Sequence, residues 1–416
     1  MRSLSHRARF LALGTTAVMT SALVAACGGS SPSGSSSQSS PILIGASLSL
    51  TGSFSADGQA FQKGYNLWVK DQNAAGGLLG RKVKLVVIND ASSPTQAVTN
   101  YQTLVNVDHV QLLFGPFSSL LTGPSVQVAH RYGRAFVEGA GGAPSVFATK
   151  LSNLFDVSLP VAASLLPLVN YLTSLPANQR PKTAAFPTSN DPFTQPQIEF
   201  AQQRLAAAGI KSVYSKVFPA EPTQYKGIAD QVAASKADVV VLGSVDVPTI
   251  AAFTQAFVQQ HYNPKVFIAT AGPDQGSAYV NAVGGVGNTE GVMVPNAWFG
   301  GSPNPASKTM VAEYISQYGG TASGVNADVA EAYSVGQVMA QAVKATKGVD
   351  NAKIITYLHS GAVLNSVQGS VKFDSVGQNL QATAFVFQWQ KGTLVQVLPA
   401  GTGATAVQFP KTAWGK

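Results

Sequence analysis

The chain has 416 residues, with 27 Lys and Arg against 19 Asp and Glu, for a formal charge of +8. Charged residues make up only 11%, against roughly 25% in typical domains, and no Lys/Arg cluster is interleaved with aromatics, which argues against a nucleic-acid partner. The length exceeds what one core usually organises, so two lobes are expected, and no internal sequence repeat points to a solenoid.

Arg2, Arg7 and Arg9 precede any acid, and an apolar run follows from Phe10 to Ala26, broken only by Gly14, Thr15, Thr16, Thr20 and Ser21. This is the layout of a secretory signal. At about 17 residues the run is just long enough to span a bilayer, so an uncleaved anchor is the alternative. Val24-Ala25-Ala26-Cys27-Gly28 resembles the bacterial lipobox, with Val24 standing where Leu is commonest. The resemblance implies that residues 1–26 are a lipoprotein signal peptide and that Cys27 carries the lipid; a plain cleaved signal is the other reading. Several acyl chains give stable anchoring where one does not. Residues 27–41 are mostly Gly and Ser, a flexible tether with too little apolar surface to order itself. Cys27 is the only cysteine, and a domain of this size needs no disulfide. Losing the three arginines with the signal leaves +5 on the mature chain.

Beyond the tether, apolar β-rich runs alternate with helical periods. Ile42 to Leu50 reads as a strand, Gln59 to Ala75 as a helix stopped by Gly76-Gly77, Val83 to Ile88 as a strand, and Pro94 to Val107 as a helix. Val110 to Phe114 is a third strand, ended by Gly115-Pro116 before a helix from Ser118, and Ala135 to Glu138 is a fourth. A second set begins after Phe155 to Leu159, with strands at Thr183 to Phe186, Val213 to Phe218, Asp238 to Leu242 and Val266 to Ala269 between helices near 196–208, 224–235 and 248–260. Gly291 to Val294 then leads to helices around 306–318, 326–346 and 351–359 and a β-rich tail, Ser370 to Phe373, Ala384 to Gln390 and Leu394 to Leu398. Strands joined through helices predict an α/β fold, two Rossmann-like lobes with doubly wound parallel sheets.

Ser118-Ser119, after a strand and a tight turn, places hydroxyls and free amides at a helix start, an arrangement suited to a carboxylate. A plain N-cap is the alternative.

The segments Gly45-Ala46-Ser47-Leu48-Ser49-Leu50-Thr51-Gly52, Asn73-Ala74-Ala75-Gly76-Gly77-Leu78-Leu79-Gly80-Arg81-Lys82, Asn89-Asp90-Ala91-Ser92-Ser93-Pro94 and Phe114-Gly115-Pro116-Phe117-Ser118-Ser119 resemble the branched-chain amino-acid receptor family of type I periplasmic binding proteins. The likeness thins but continues through Gly272-Pro273-Asp274 and Thr289-Glu290-Gly291. It implies two lobes that close on a ligand through a three-crossover hinge near 157–160, 291–295 and 380–385. Lobe one would be 42–158 plus 295–381, and lobe two 160–291 plus 385–400. Ligands at the carboxyl ends of parallel strands agree with that arrangement.

The resemblance also assigns roles. Ser119 would hold an α-carboxylate beside Ser118. In Gly139-Ala140-Gly141-Gly142-Ala143-Pro144, Ala140 would offer a carbonyl to an ammonium, next to Gly141, while Gly142 stands where relatives carry a Thr. Asp274 would pair with the ammonium, a charge-assisted contact; a solvated turn is the alternative. Relatives surround an aliphatic side chain with aromatics, and the corresponding positions here are Asp57, Phe193, Val245 or Asp246, and Asp328. Three acids favour a polar or cationic group over leucine, unless Phe54, Tyr225 or Trp298 supplies the wall. Glu331 and Tyr333 read as rim and core. Some relatives bridge cysteines where Ser92 and Ser118 stand.

The five histidines are scattered without metal spacing, and no G-x-S-x-G elbow occurs. Gly285 to Gly291 reads as a turn rather than a phosphate loop. The expectation is therefore not an enzyme and no cofactor: an extracytoplasmic, lipid-anchored, monomeric receptor that delivers an amino acid or related small polar solute (amide, urea-like or cationic amine) to an ABC permease and ATPase complex. A ligand-sensing receptor that signals to a partner through the same cleft is the alternative.

Overall fold

The computed structural model describes residues 40–416 apart from 221, 402 and 416. The signal segment, Cys27 and all but the end of the tether lie outside the described residues.

Strand β1 (Ile42–Leu48) leads into α1 (Ser55–Ala74), β2 (Val83–Asn89), α2 (Pro94–Asn106), β3 (Leu112–Phe114), α3 (Ser119–Arg131), β4 (Phe136–Glu138), α4 (Pro144–Phe147) and β5 (Leu154–Asp156). These strands form one sheet in the order β2-β1-β3-β4-β5, with every pairing parallel. β1 is buried nearly throughout, which is why its sequence is mostly apolar rather than alternating, and its one polar residue, Ser47, donates to Asp90 at 2.9 Å. Phe61, Tyr65 and Trp68 recur at helical spacing on the buried face of α1. Pro94 opens α2, and Ser93 Oγ caps it by accepting from the Gln96 amide at 3.3 Å.

The chain continues through α5 (Leu166–Ser174), β6 (Thr183–Ser189), α6 (Thr194–Ala207), β7 (Lys211–Phe218), α7 (Pro222–Ser235), β8 (Val239–Leu242), α8 (Val247–Gln259), β9 (Val266–Ala269), α9 (Ser277–Ala282) and β10 (Val292–Asn296). Then come α10 (Pro305–Tyr318), α11 (Ala327–Thr346), α12 (Asn351–Leu358), the short strands β11 (Leu364–Ser366) and β12 (Gly369–Val371), and the hairpin β13 (Phe385–Gln390) and β14 (Thr393–Leu398). The second sheet runs β14-β13-β10-β9-β8-β6-β7. Its β7-β6-β8-β9-β10 part is parallel and repeats the strand order of the first sheet. The β13–β14 hairpin extends it antiparallel, so this sheet is mixed rather than wholly parallel.

Sheet membership changes three times along the chain. It changes after β5, again after Asn296 when α11 packs on α1, and once more before β13. β5 pairs with β4 and closes the first sheet, and the second set of strands begins after it. Gly285 to Gly291 contains a single short turn of helix at Val286–Asn288 ahead of β10, in line with a turn. No helix among the described residues is long and apolar enough to cross a membrane.

Candidate functional site

The strand order of both sheets reverses between the first and third strands of each set, and in open α/β sheets that reversal marks a crevice at the carboxyl ends. A cavity of about 80 Å³ lies there. Asp57, Phe117, Ser118, Ala140, Gly142, Asp156, Ser158 and Glu331 line it from the first sheet and its helices, and Phe193, Gln197, Val245, Thr270, Asp274 and Asn296 from the second.

Helix starts deliver two of the acids. Asp57 lies in the first turn of α1 and Asp328 in the first turn of α11, which Asn326 caps through the Asp328 amide at 2.8 Å. A helix N-terminus favours negative charge. Gln275, which follows β9, reaches both: its Nε2 donates to Asp57 and, at 2.9 Å, to Asp328 Oδ2. Asp156 ends β5 and Glu331 lies one turn beyond Asp328 on α11. Ser158 joins them, donating its amide to Asp156 Oδ1 at 2.7 Å and its hydroxyl to Glu331 Oε1 at 3.0 Å. Asp274 accepts from the Gly272 amide at 3.1 Å and from Asn296 Nδ2 at 3.0 Å.

Among the described residues no Lys, Arg or His lines the cavity, so these carboxyls meet no counter-charge from them there. Burial, followed by the charges of Asp328, Asp274 and Asp246, holds Asp57 well above the usual carboxylate range. Burial and Asp274 raise Asp328 to about 7, and burial alone raises Asp156 to about 7. Burial and then Asp328 push Glu331 well up, and burial raises Asp274.

Of the buried side-chain atoms without a partner, three belong to residues lining the cavity: Asp57 Oδ2, Asp156 Oδ2 and Ser118 Oγ. The other lining side chains that can donate are engaged. Thr270 Oγ1 donates to the Ser244 carbonyl at 2.6 Å, Gln197 Nε2 to the Phe193 carbonyl at 2.9 Å, and Ser164 to Gln197. Gly142 is required by space, because a Cβ there would stand 2.9 Å from both Asp156 Oδ2 and the Leu159 carbonyl. The space a side chain would need at this place is taken by a carboxylate edge.

The structure thus brings together Asp57, Ser118, Ala140, Gly142, Phe193, Asp274 and Asp328. It places Ser119, Gly141 and Asp246 behind the lining. Ser119 Oγ accepts from the Ala143 amide at 3.2 Å, the Gly141 amide donates to Glu138, and Asp246 caps α8 at the Thr249 amide, 2.8 Å away. Of the pair Val245 and Asp246, Val245 faces the cavity. Glu331, expected at a rim, is buried in the lining, whereas the Tyr333 hydroxyl turns away to Asp71 at 2.9 Å. Phe54 packs edge-on against Phe117, and Trp298 bonds Ser307 at 2.9 Å; neither lines this cavity. Asp156, Ser158 and Gln275 were missed. The i, i+3 spacing of Asp328 and Glu331 and the acid ending β5 were the available signals. Among the described residues no His, Cys, Asp and Glu cluster is placed to hold a metal ion.

The periplasmic binding protein family profile matches residues 41–393. Leu/Ile/Val-binding protein homolog 7 of Brucella melitensis is 23% identical over 389 residues, 91% of this chain and 96% of that protein. An amino acid binding protein of Pseudomonas aeruginosa is 25% identical over 368 residues, 86% of this chain and 92% of its own. Among solved structures, the leucine binding protein LivK of Thermotoga maritima superposes with a TM-score of 0.75 at 17% identity, covering 85% of this chain and 97% of that one. A solute binding protein of R. palustris in complex with benzoate gives 0.74 at 17% identity, covering 90% and 98%. These structural likenesses share the two-lobed α/β fold. With the family profile spanning both sheets and the cavity between them, the chain belongs to the periplasmic binding proteins, which hold a solute rather than transform it.

Proposed function

We propose that this protein is the extracytoplasmic solute-binding component of an ABC importer, and that its solute is a small polar molecule carrying a cationic amine. The observation that carries the reading is charge placement. Among the described residues, five acids line one cavity and no Lys or Arg does. Isolated buried charge is costly unless it is paired, so a cationic group on the ligand supplies what the site lacks. The aliphatic side chain of leucine would instead be set against carboxylates. Lobes of 42–158 plus 295–381 and 160–291 plus 385–400 would close around such a solute, and closure would be favoured because the ligand touches both only when they meet.

Thermal shift over amines, amides, urea and amino acids tests the ligand class, because tight binding raises apparent stability by mass action. Amines are expected to raise the midpoint most. Stabilisation by Leu, Ile, Val or benzoate with no response to amines would remove the reading. The lipid on Cys27 is tested separately: Cys27→Ser is expected to release the protein from the membrane fraction, and unchanged retention would discard the anchor.

A further inference from the structure

Four carboxylates of the cavity form two pairs, each joined by one residue that donates to both members. Gln275 holds Asp57 with Asp328, and Ser158 holds Asp156 with Glu331. Each pair leaves one oxygen without a partner, Asp57 Oδ2 and Asp156 Oδ2, on residues 1% and 0% exposed. Asp328 and Glu331 stand three residues apart on α11. Side chains at that spacing share one face with Cβ atoms about 5–6 Å apart, so the two pairs meet along one face of α11.

We propose that the cavity takes a compact dication, an α,ω-diamine with three or four methylenes between its ammonium groups, one ammonium held by each carboxylate pair. The proposal rests on the cationic-solute reading above and goes beyond it in fixing the number and spacing of the charges. Charge is the first argument. One ammonium satisfies one pair and leaves the other buried without a counter-ion, which is the costly arrangement. Asp156 and Asp328, raised to about 7, let each pair keep roughly one proton near neutrality, so that two single charges face two ammonium groups. The fifth acid, Asp274, already accepts from Asn296 and from Gly272 and needs no third charge.

Space and donors agree. A cavity of about 80 Å³ accommodates about five to eight water-sized groups at the ~10–15 Å³ each needs, and such a diamine has about five or six non-hydrogen atoms. An amino acid would also bring a carboxylate. Ser118 is the lining side chain that offers it an uncommitted buried hydroxyl, with no cation beside it.

Calorimetry on the whole protein, with n-butylamine, diaminopropane, putrescine, hexamethylenediamine, lysine and calcium chloride, tests this. Diaminopropane or putrescine is expected to bind on the order of 100-fold more tightly than n-butylamine, the scale of one further charge-assisted contact, with hexamethylenediamine weaker. Asp57→Asn and Asp156→Asn should each collapse that preference. If n-butylamine binds as tightly as the diamines, the dication is overturned while the cationic-solute reading stands. Binding of lysine above both diamines, or of calcium in place of them, also overturns it. If no amine binds, both readings fall together. The comparison of ligands on the unaltered protein decides the matter even where a variant does not fold.

Discussion

Gln275 Nε2 lies 2.9 Å from Asp328 Oδ2 and also donates to Asp57, so one amide from the loop after β9 joins the first turns of two helices packed on the other sheet. Asn326 Nδ2 donates to the Gln275 carbonyl oxygen and fixes which way the amide points. Gln275 therefore acts as a latch across the cleft. A hydrogen bond to a charged group contributes about 1.5–3 kcal/mol, enough to move a two-state equilibrium roughly tenfold or more. Gln275→Ala is expected to open the unliganded protein, read as a larger radius of gyration in X-ray scattering, and to weaken amine binding by about tenfold. An unchanged radius together with unchanged affinity would show that the bond is incidental to closure.

The raised carboxyls make stability and binding depend on pH in opposite senses. Asp156 and Asp328 titrate near 7 in the fold, against 3.8 as the ordinary value. Between those values the folded state holds more protons than the unfolded one, so their contribution to stability is complete below about pH 4 and lost as pH rises through about 7. The unliganded midpoint is expected to fall over that interval. Cation binding needs the ionised forms, so amine affinity should rise over the same interval with release of protons. Calorimetry in buffers of different ionisation enthalpy measures that release. Affinity independent of pH from about 5 to about 8 would contradict the sign.

Much of the fold was legible because β1, β6, β8 and β9 are buried runs bounded by turns, and because Phe61, Tyr65 and Trp68 repeat at helical spacing. The first-sheet loops were legible as a set: Asp57, Ser118, Ala140 and Gly142 meet at one cavity, with Asp274 from the second sheet. What stayed hidden was orientation. Ser118 and Ser119 are neighbours with the same side chain, and only the turn into α3 decides which hydroxyl faces inward. Gln275 has no charge and no motif, and its part in the site arises only when two sheets approach. Glu331 reads as an ordinary helical acid until its helix packs against Gly139 and Ser158 and buries it.

The two serines should separate in mutation. Ser118 Oγ has no partner and its residue lines the cavity, whereas Ser119 Oγ accepts from the buried Ala143 amide at 3.2 Å. Ser119→Ala removes one of two acceptors of that amide, which also donates to the Gly141 carbonyl at 2.9 Å, and is expected to lower stability by about 0.5–1.5 kcal/mol with little change in affinity. Ser118→Ala should leave stability within about 0.5 kcal/mol and alter ligand affinity. Chemical denaturation and calorimetry on both variants check this. Loss of binding in Ser119→Ala alone, at unchanged stability, would return the ligand contact to Ser119.

The helix that carries Asp328 and Glu331 is held against α1 by close approach at Gly336, where a Cβ would stand 2.2 Å from Trp68 Cδ2 and 2.6 Å from Cε2. The indole is 2% exposed and packs against Phe114, so it has no room to retreat. Gly336→Ala would gain up to about 1 kcal/mol in helix propensity, but overpacking costs about 1–3 kcal/mol and is expected to win. The denaturation midpoint should fall. Amine affinity should fall with it, because α11 must shift to admit the methyl and both its acids shift too. Trp68→Leu in the same chain removes the obstructing ring, so the double variant should be less destabilised than the sum of the singles by about 0.5–3 kcal/mol. Strict additivity would place the cost of Gly336→Ala somewhere other than the indole.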